Sequence, residues 1–371
     1  MARKRILAIL ASCDFEGVWQ QCSRLSADLP TKEFDVRIAM LSAARTDVRL
    51  VEKTGLPVYT VGSGRAVGPL ILWPLIRLIQ QQQPDLVHCW DSTTNLYGSL
   101  AARIAGVQSI FCNAWQPTDS SLDWKKLAQL LIKEQITKMI VSSRMLHETD
   151  HALQGLADGI VEIISPAIAQ YAEPSIDRNR LLEKFGIPDS SYLIATSDSM
   201  EAATRLREII WATELLKVAG HNVRVFICGK GNKSKLVERF RNQVQLQDSI
   251  YFLEDHDLIG ELMDHLDIYW QFGGPRGKSI IPTVEAMRRG IPVIADRSAI
   301  HGELMQHEKT GILVPCGDPA SLASWTQHLL EHSDQCQKIG AMGRDHVKNQ
   351  FLPEATLAAI TQLYQQSLGN S

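Results

Sequence analysis

Residues 267–319 constrain the fold more than any other stretch, and they read DIYWQFGGPRGKSIIPTVEAMRRGIPVIADRSAIHGELMQHEKTGILVPCGDP. Residues 267–272 are aromatic and β-branched over the length of a strand, and two glycines and a proline end the run. A helical pattern and two further apolar runs follow. This order is typical of a parallel βαβ ladder, in which ligands bind at the carboxyl ends of strands and near helix N-termini.

The predicted helix in this stretch carries its own start and stop signals. Pro282 suits a first helical position, and Glu285 is predicted to lie in the first turn, where its charge meets the helix dipole. Gly290 suits a left-handed cap at the C-terminus, and Pro292 prevents continuation. We therefore predict a helix between Pro282 and Gly290, followed by a strand that begins at Val293.

Composition excludes several classes of protein. The 371 residues are 45% apolar and 21% charged with a formal net charge of −3, which is typical of a two-domain globular protein and gives no bias toward nucleic acid. The apolar run at residues 66–76 is shorter than the roughly 20 residues that span a bilayer. The basic, then apolar N-terminus mimics a lipoprotein signal but suits a first buried strand better. Seven scattered cysteines form no C-x-x-C pair, so we interpret them as reduced thiols of a cytoplasmic protein.

The loop at residues 273–279, GGPRGKS, resembles a phosphate-binding P-loop because it ends in Gly-Lys-Ser. The first glycine of that motif would have to stand at position 272, which is Phe272. The loop also comes late in the chain, without a plausible downstream carboxylate for magnesium on a strand. A nucleoside triphosphatase is therefore disfavoured.

The stretch that begins at Glu285 resembles the donor-nucleotide half of the retaining GT-B glycosyltransferases of family 4, the glycosyl transferases group 1. Their pattern runs from Glu-Ala-Met through Gly-x-Pro-Val-Ile-Ala and Glu-Leu to Thr-Gly-x-Leu-Val-Pro-x-Gly-Asp-Pro. The matching positions are Glu285, Ala286, Met287, Gly290, Pro292, Val293, Ile294, Ala295, Glu303, Leu304, Thr310, Gly311, Leu313, Val314, Pro315, Gly317, Asp318 and Pro319. The resemblance is dense here and thin over the rest of the chain.

The resemblance implies an α/β protein of GT-B architecture, with two Rossmann-like domains facing across a cleft. Residues 1–168 would form the acceptor-side domain, and residues 169–351 the nucleotide-sugar-binding domain. A C-terminal helix at about residues 352–371 would cross back to the first domain.

The same resemblance implies a transferase that moves a hexose from a nucleotide-sugar to a glycan, lipid-linked or small-molecule acceptor, with retention of stereochemistry. Such a protein would serve polysaccharide or glycolipid biosynthesis. It would need no metal or other cofactor, because the nucleotide-sugar is a co-substrate. We expect a cytoplasmic monomer or dimer that binds no nucleic acid and that contacts the inner face of the membrane peripherally.

The family's pattern also implies a set of site residues. Glu285 would accept hydrogen bonds from the ribose hydroxyls, while its alternative role is that of a helix-dipole partner. Gly229 and Gly231 follow a predicted strand, and their backbone amides would face the nucleotide. Gly17, in the turn after the first strand, would edge the reaction centre. Lys278 would contact the diphosphate.

Four positions depart from the family's pattern. Ala114 replaces a histidine that touches the donor sugar, and Gly277 replaces a sugar-side glutamate. Asp198 and Thr204 replace the arginine and lysine that neutralise the diphosphate; each charge-assisted contact contributes about 1.5 to 3 kcal/mol. Arg205 either substitutes for the lost lysine or is a solvated helix residue. The alternative to an enzyme is therefore an inactive GT-B scaffold or a partner-binding protein.

Tryptophans near the predicted cleft have two interpretations. Trp19, Trp90, Trp115 and Trp124 could stack on a sugar or fill the core. Because large aromatic residues are usually well buried, core packing is the default prediction.

Overall fold

The structure is a computed structural model, and it describes residues 3–11, 18–42, 55–62, 67–115, 135–150, 153, 155–157, 159–168, 177–198, 203–229, 233–254, 256–272 and 280–369. Its contacts divide the chain into two compact units. Unit 1 comprises Met1–Ala167 and Phe351–Ser371, and unit 2 comprises Ile168–Gln350.

Unit 1 is a parallel sheet flanked by helices. Its elements are β1 (Lys4–Leu10), α1 (Val18–Asp28), β2 (Phe34–Met40), β3 (Val58–Thr60), a 3₁₀ turn (Pro69–Ile71), α2 (Leu72–Gln82), β4 (Leu86–Cys89), α3 (Ser92–Ile104), β5 (Ser109–Ala114), β6 (Lys138–Val141), α4 (Arg144–Thr149), β7 (Val161–Ile163) and the C-terminal helix α13 (Pro353–Gly369). The strand order is β3-β2-β1-β4-β5-β6-β7. The order reverses between β1 and β4, which makes that point the topological switch of the sheet.

The C-terminal helix α13 completes the core of unit 1, as the predicted crossover requires. Ile360, Leu363, Tyr364 and Leu368 of this helix are buried in the same apolar cluster as β1 and β2. The cluster also contains tryptophans at 19, 90 and 115, each at most 3% exposed. The core prediction is therefore confirmed for these three tryptophans, while Trp124 lies outside the described residues.

Unit 2 repeats the architecture with six strands. Its elements are α5 (Arg178–Phe185), β8 (Tyr192–Ser197), α6 (Ala203–Val218), β9 (Val223–Cys228), α7 (Ser234–Gln243), β10 (Ile250–Leu253), α8 (His256–Met263), β11 (Ile268–Gln271), α9 (Ile281–Arg288), β12 (Val293–Asp296), α10 (Ala299–Leu304), β13 (Ile312–Val314), α11 (Pro319–Glu331) and α12 (Ser333–Val347). Neighbouring strands pair in parallel, in the order β10-β9-β8-β11-β12-β13. The switch point of this sheet lies between β8 and β11.

The helix predicted inside residues 267–319 is α9, and one detail of that prediction is wrong. The helix begins at Ile281, one residue before Pro282, so Glu285 falls in the second turn and no acidic residue lies in the first. The dipole therefore offers Glu285 little stabilisation, since that effect fades beyond the first turn. Gly290 adopts a left-handed φ of +76°, as the cap prediction requires.

The described helices were also compared with the length and hydropathy of a transmembrane segment. Within the described ranges, no helix combines the length and the apolar character that crossing a bilayer requires.

Candidate functional site

The switch point of unit 2 brings together a buried chain of polar side chains. The Ser197 hydroxyl, at the end of β8, lies 2.5 Å from the Tyr269 hydroxyl of β11. The Tyr269 hydroxyl donates in turn to Oε1 of Gln271, at 3.1 Å. All three side chains are buried. We call this end of the sheet, formed by the carboxyl ends of β8, β9 and β11 together with α9, the switch-point edge.

Glu285 lies beside this chain and influences it electrostatically. Burial raises the pKa of Tyr269, and the negative charge of Glu285 adds to the rise. The Glu285 side chain is 41% exposed, and its Oε1 accepts from Nη1 of Arg289 at 2.9 Å. Nε of Arg289 also donates to Asp264 at 2.9 Å. The carboxylate of Glu285 is thus fixed in orientation by one cation and remains accessible to solvent.

Gly229 ends β9 beside Asp198, and its role differs from the predicted one. Its backbone N–H donates to the carbonyl of Leu253 at 2.8 Å, so the prediction that this amide faces a ligand is wrong. The residue has a φ of +141°, and a Cβ atom there would overlap the carbonyl oxygen of Asp198. Glycine is therefore required because the ends of β8 and β9 approach each other closely.

Asp198 is the predicted replacement for the arginine of the family's pattern. It follows β8 directly, its side chain is fully buried, and its N–H donates to the carbonyl of Cys228 at 2.9 Å. Burying a charged side chain requires compensation by partners. In its ionised form, this carboxyl group would repel a phosphate.

A second buried pair lies at the end of β12. Oδ1 of Asp296 is 2.7 Å from Nδ1 of His301 in α10, and both side chains are fully buried. Ser298 caps α10 by accepting from the His301 N–H. The pair fixes the loop that follows β12, and neither residue was singled out by the sequence.

The corresponding edge of unit 1 carries aromatic side chains around His88, together with the carboxylate of Asp91, which accepts from the Ala11 N–H at 2.7 Å. Ala114 is the last residue of β5 and is half-buried. Its neighbour Asn113 presents Oδ1 to Nε2 of His88 at 2.9 Å, and Nδ1 of His88 lies 2.6 Å from the hydroxyl of Tyr364. Trp90 packs against the ring of His88, with 4.6 Å between centroids. Ala114, the predicted replacement for the family's histidine, therefore adjoins a packed network of buried side chains.

Several predicted site residues lie outside the described part of the chain. They are Gly17, Gly231, Gly277 and Lys278. Thr204 and Arg205 lie in the first turn of α6, with their side chains outside the described part. Of the predicted set, the structure thus places Glu285 and Gly229 at the same edge of the sheet.

The hydroxyl chain and the Asp296–His301 pair were missed because a sequence pattern does not identify side-chain partners. One signal could have revealed part of the chain. Tyr269 and Gln271 are two residues apart at the end of a buried strand, so they face the same side of the sheet. Polar groups there must find partners when they are buried.

The geometry at the switch-point edge suits the binding of hydroxyl groups. The accessible carboxylate of Glu285 accepts hydrogen bonds, while the buried row of hydroxyl and amide groups behind it stabilises this edge. Parallel sheets of this kind bind ligands at the switch point, next to the ends of their strands.

Comparisons with known proteins find a family match for each of the two units. Residues 177–346 match the family described as "Glycosyl transferases group 1", and residues 9–143 match "Glycosyl transferase 4-like". The N-acetyl-alpha-D-glucosaminyl L-malate synthase of Bacillus anthracis is 22% identical over 68% of this chain and 64% of its own length. The 2-deoxystreptamine N-acetyl-D-glucosaminyltransferase of Niallia circulans is 22% identical over 41% of this chain and 39% of its own. The matched stretch thus spans less than two thirds of either relative.

The fold has solved counterparts. The structure of HepE from Anabaena, in complex with UDP and glucose, superposes with a TM-score of 0.80 at 17% identity and covers 100% of both chains. The two family matches fall on the two units and leave residues 1–8, 144–176 and 347–371 unmatched. Unit 2 therefore matches the glycosyl transferases group 1 family, unit 1 matches the glycosyl transferase 4-like family, and the chain has the GT-B fold.

Proposed function

We propose that the protein transfers a hexose or N-acetylhexosamine from a uridine diphosphate donor to a hydroxyl group of an acceptor, with retention of stereochemistry. The relatives from B. anthracis and N. circulans are named for transfer of N-acetylglucosaminyl groups, and the Anabaena counterpart holds UDP and glucose. These likenesses support the donor class. The acceptor would be a glycan, a lipid-linked sugar or a small molecule.

The observation that carries the proposal is the position of Glu285. It lies on α9 next to the switch point, is accessible, and is held in one orientation by Arg289. A carboxylate in this setting can accept two hydrogen bonds from the vicinal hydroxyls of a ribose. The match of the surrounding stretch to the family supports this role.

The remaining roles complete the proposal. Gly229 and Gly231 would line the nucleotide through their lack of side chains, and Gly17 would edge the reaction centre. Arg205 and Lys278 would stabilise the negative charge that develops on the departing diphosphate, which is the principal electrostatic task in this reaction. We propose no metal cofactor for this step.

A second candidate function is supported by one observation. Asp198, the predicted replacement for a family cation, is buried, and Ala114 is the predicted replacement for the family's histidine. A protein that kept the fold and lost turnover would show these replacements. This candidate predicts that no nucleotide binds.

Calorimetric titration with UDP, GDP, ADP and their hexose conjugates tests the proposal, repeated on Glu285→Gln. We expect one nucleotide to bind, and the variant to bind it about ten- to a hundredfold more weakly, because a charge-assisted hydrogen bond contributes about 1.5 to 3 kcal/mol. The anomeric configuration of the product, read by NMR, would then establish the stereochemical course.

Asp264→Asn is the matched control for this substitution. It removes the other partner of Arg289 and leaves Glu285 in place, so nucleotide affinity should change less than twofold. An equal loss of affinity in both variants would show that the ion pairs of Arg289 shape the site indirectly. Absence of binding by all of the nucleotides at millimolar concentration would favour the scaffold.

A further inference from the structure

The outer face of α6 in unit 2 carries an apolar stripe that the core does not use. Trp211, Leu215 and Val218 are 47%, 43% and 77% exposed. Their spacing of four and three residues places them on one face of the helix. The opposite face, which includes Leu206, Ile210 and other residues of α6, is buried in the core of unit 2. The helix is therefore apolar on both sides, with one side buried in the core and the other partly exposed.

The neighbouring helix α7 extends the stripe. Leu236 of α7 is 43% exposed. The ring of Phe240 lies 6.0 Å from that of Trp211, and the guanidinium of Arg207 stacks over Phe240 at 5.2 Å. We call the exposed side chains of α6 and α7 the α6–α7 surface. On this surface, Trp211 and Phe240 pack against each other, and Arg207 packs against Phe240.

The exposed charged groups of this surface are mostly cations, while the half-buried charged residues of the same helices are Glu208, Glu214 and Arg241. Among the described side chains of α6, α7 and the residue before α7, the exposed cations are Arg207, Lys217, Lys233, Lys235 and Arg239. The exposed acidic residue among them is Glu238. The formal net charge of the whole chain is −3. The exposed side chains of this surface therefore carry a net positive charge, although the protein as a whole is slightly acidic.

We infer that the α6–α7 surface docks on a bilayer that contains anionic phospholipids. Tryptophan and leucine side chains enter the boundary between headgroups and acyl chains, while lysine and arginine beside them attract anionic headgroups. A nucleic acid would match the charge but not the apolar stripe. A second copy would match the stripe, but its own cations would repel those of this surface.

The position of the surface is compatible with activity at the switch-point edge. The helix α6 follows β8, so it starts at the carboxyl edge of the sheet and runs toward the amino edge. Trp211, Leu215 and Val218 lie in its second half, on the part that points away from the candidate site. Docking through this apolar part would leave the site open to soluble ligands, whereas Lys233 and Lys235, at the start of α7, lie at the same carboxyl edge as the site. The inference concerns binding and stands independently of turnover.

Vesicle co-sedimentation of the full chain tests this inference. Vesicles of one part phosphatidylglycerol to two parts phosphatidylcholine should sediment the protein, and vesicles of phosphatidylcholine alone should not. Raising the salt concentration from about 0.1 M to about 1 M shortens the Debye length from about 10 Å to about 3 Å and should release the protein. Lys235→Glu with Arg239→Glu should lower the partition coefficient about 25-fold or more, since each basic residue contributes about fivefold.

The apolar half of the surface has its own variant and a matched control. Trp211→Ser with Leu215→Ser should lower partitioning about tenfold or more. Leu70→Ser with Trp73→Ser removes the same two residue types from exposed positions in unit 1 and should leave partitioning unchanged. Lys309→Glu with Lys348→Glu, at exposed positions of unit 2, is the control for charge. Circular dichroism and nucleotide titration report on the fold of every variant.

Three results would overturn the inference. The first is a failure of the wild-type chain to sediment with anionic vesicles. The second is an equal loss of sedimentation in the controls and in the α6–α7 variants. The third is a partner of another class, seen as self-association in analytical ultracentrifugation that Trp211→Ser with Leu215→Ser abolishes, or as competition by RNA that removes all vesicle binding.

Discussion

Replacing Gly229 with alanine is expected to destabilise unit 2 by about 3 to 5 kcal/mol. The added Cβ would overlap the carbonyl oxygen of Asp198, and the φ of +141° is one that alanine rarely adopts. The variant must therefore separate the ends of β8 and β9, which strains or breaks two backbone hydrogen bonds, Asp198 to Cys228 and Gly229 to Leu253. The lost bonds contribute about 0.5 to 1.5 kcal/mol each, and the backbone strain adds about 1 to 3 kcal/mol.

Urea unfolding followed by circular dichroism measures this effect, with Gly260→Ala as the control. Gly260 lies inside the helix α8, and a Cβ atom there would meet nothing within 4 Å. Alanine at that position should leave stability unchanged or raise it by up to about 1 kcal/mol, because alanine favours a helix. If the two variants unfolded at the same urea concentration, the close approach at Gly229 would have no energetic importance.

The order of helices and strands could be predicted from the sequence where the local signals for helix, strand and turn agree with each other. Residues 267–319 form β11, α9, β12 and β13 in the predicted order, because strand composition, proline and glycine act locally. The helix start was misplaced by one residue since Ile281 joins the first turn ahead of Pro282. That single residue moves Glu285 out of the first turn, and its structural role then depends on Arg289 and not on the helix dipole.

The hydrogen-bond partners of buried polar groups could not be predicted from local sequence patterns. His88 and Tyr364 are 276 residues apart in sequence and bond directly, while Ser197 and Tyr269 meet across neighbouring strands. Such contacts depend on strand order, and strand order is a property of the whole sheet. The same reason explains Gly229, whose amide bonds to Leu253 of the adjacent strand. A pattern of glycines indicates a turn, but it does not show where each amide points.

The stability of unit 1 is expected to fall as the pH is lowered from about 6.5 to about 4, because of His88. Burial lowers the pKa of this imidazole to about 4, although its hydrogen bond to Asn113 opposes the change. An unfolded histidine has a pKa of about 6.5. Below that value the unfolded chain binds a proton that the folded chain does not, so the stability contributed by the neutral ring is lost. The loss should reach about 2 kcal/mol at pH 5 and about 3 kcal/mol at pH 4.

Variants at His88 and Tyr364 separate this effect from the titration of carboxylates in the same pH range. His88→Gln keeps a polar side chain that can bond to Asn113 but removes the titrating ring, so its free energy of unfolding should vary less between pH 6.5 and pH 4. Tyr364→Phe removes the hydroxyl partner of Nδ1 but leaves the ring buried, and it should retain most of the pH dependence because burial is the larger cause of the lowered pKa. Equal pH dependence in the wild type and His88→Gln would assign the acid sensitivity to other groups. Loss of the dependence in Tyr364→Phe would instead show that the hydroxyl, and not burial, keeps His88 neutral.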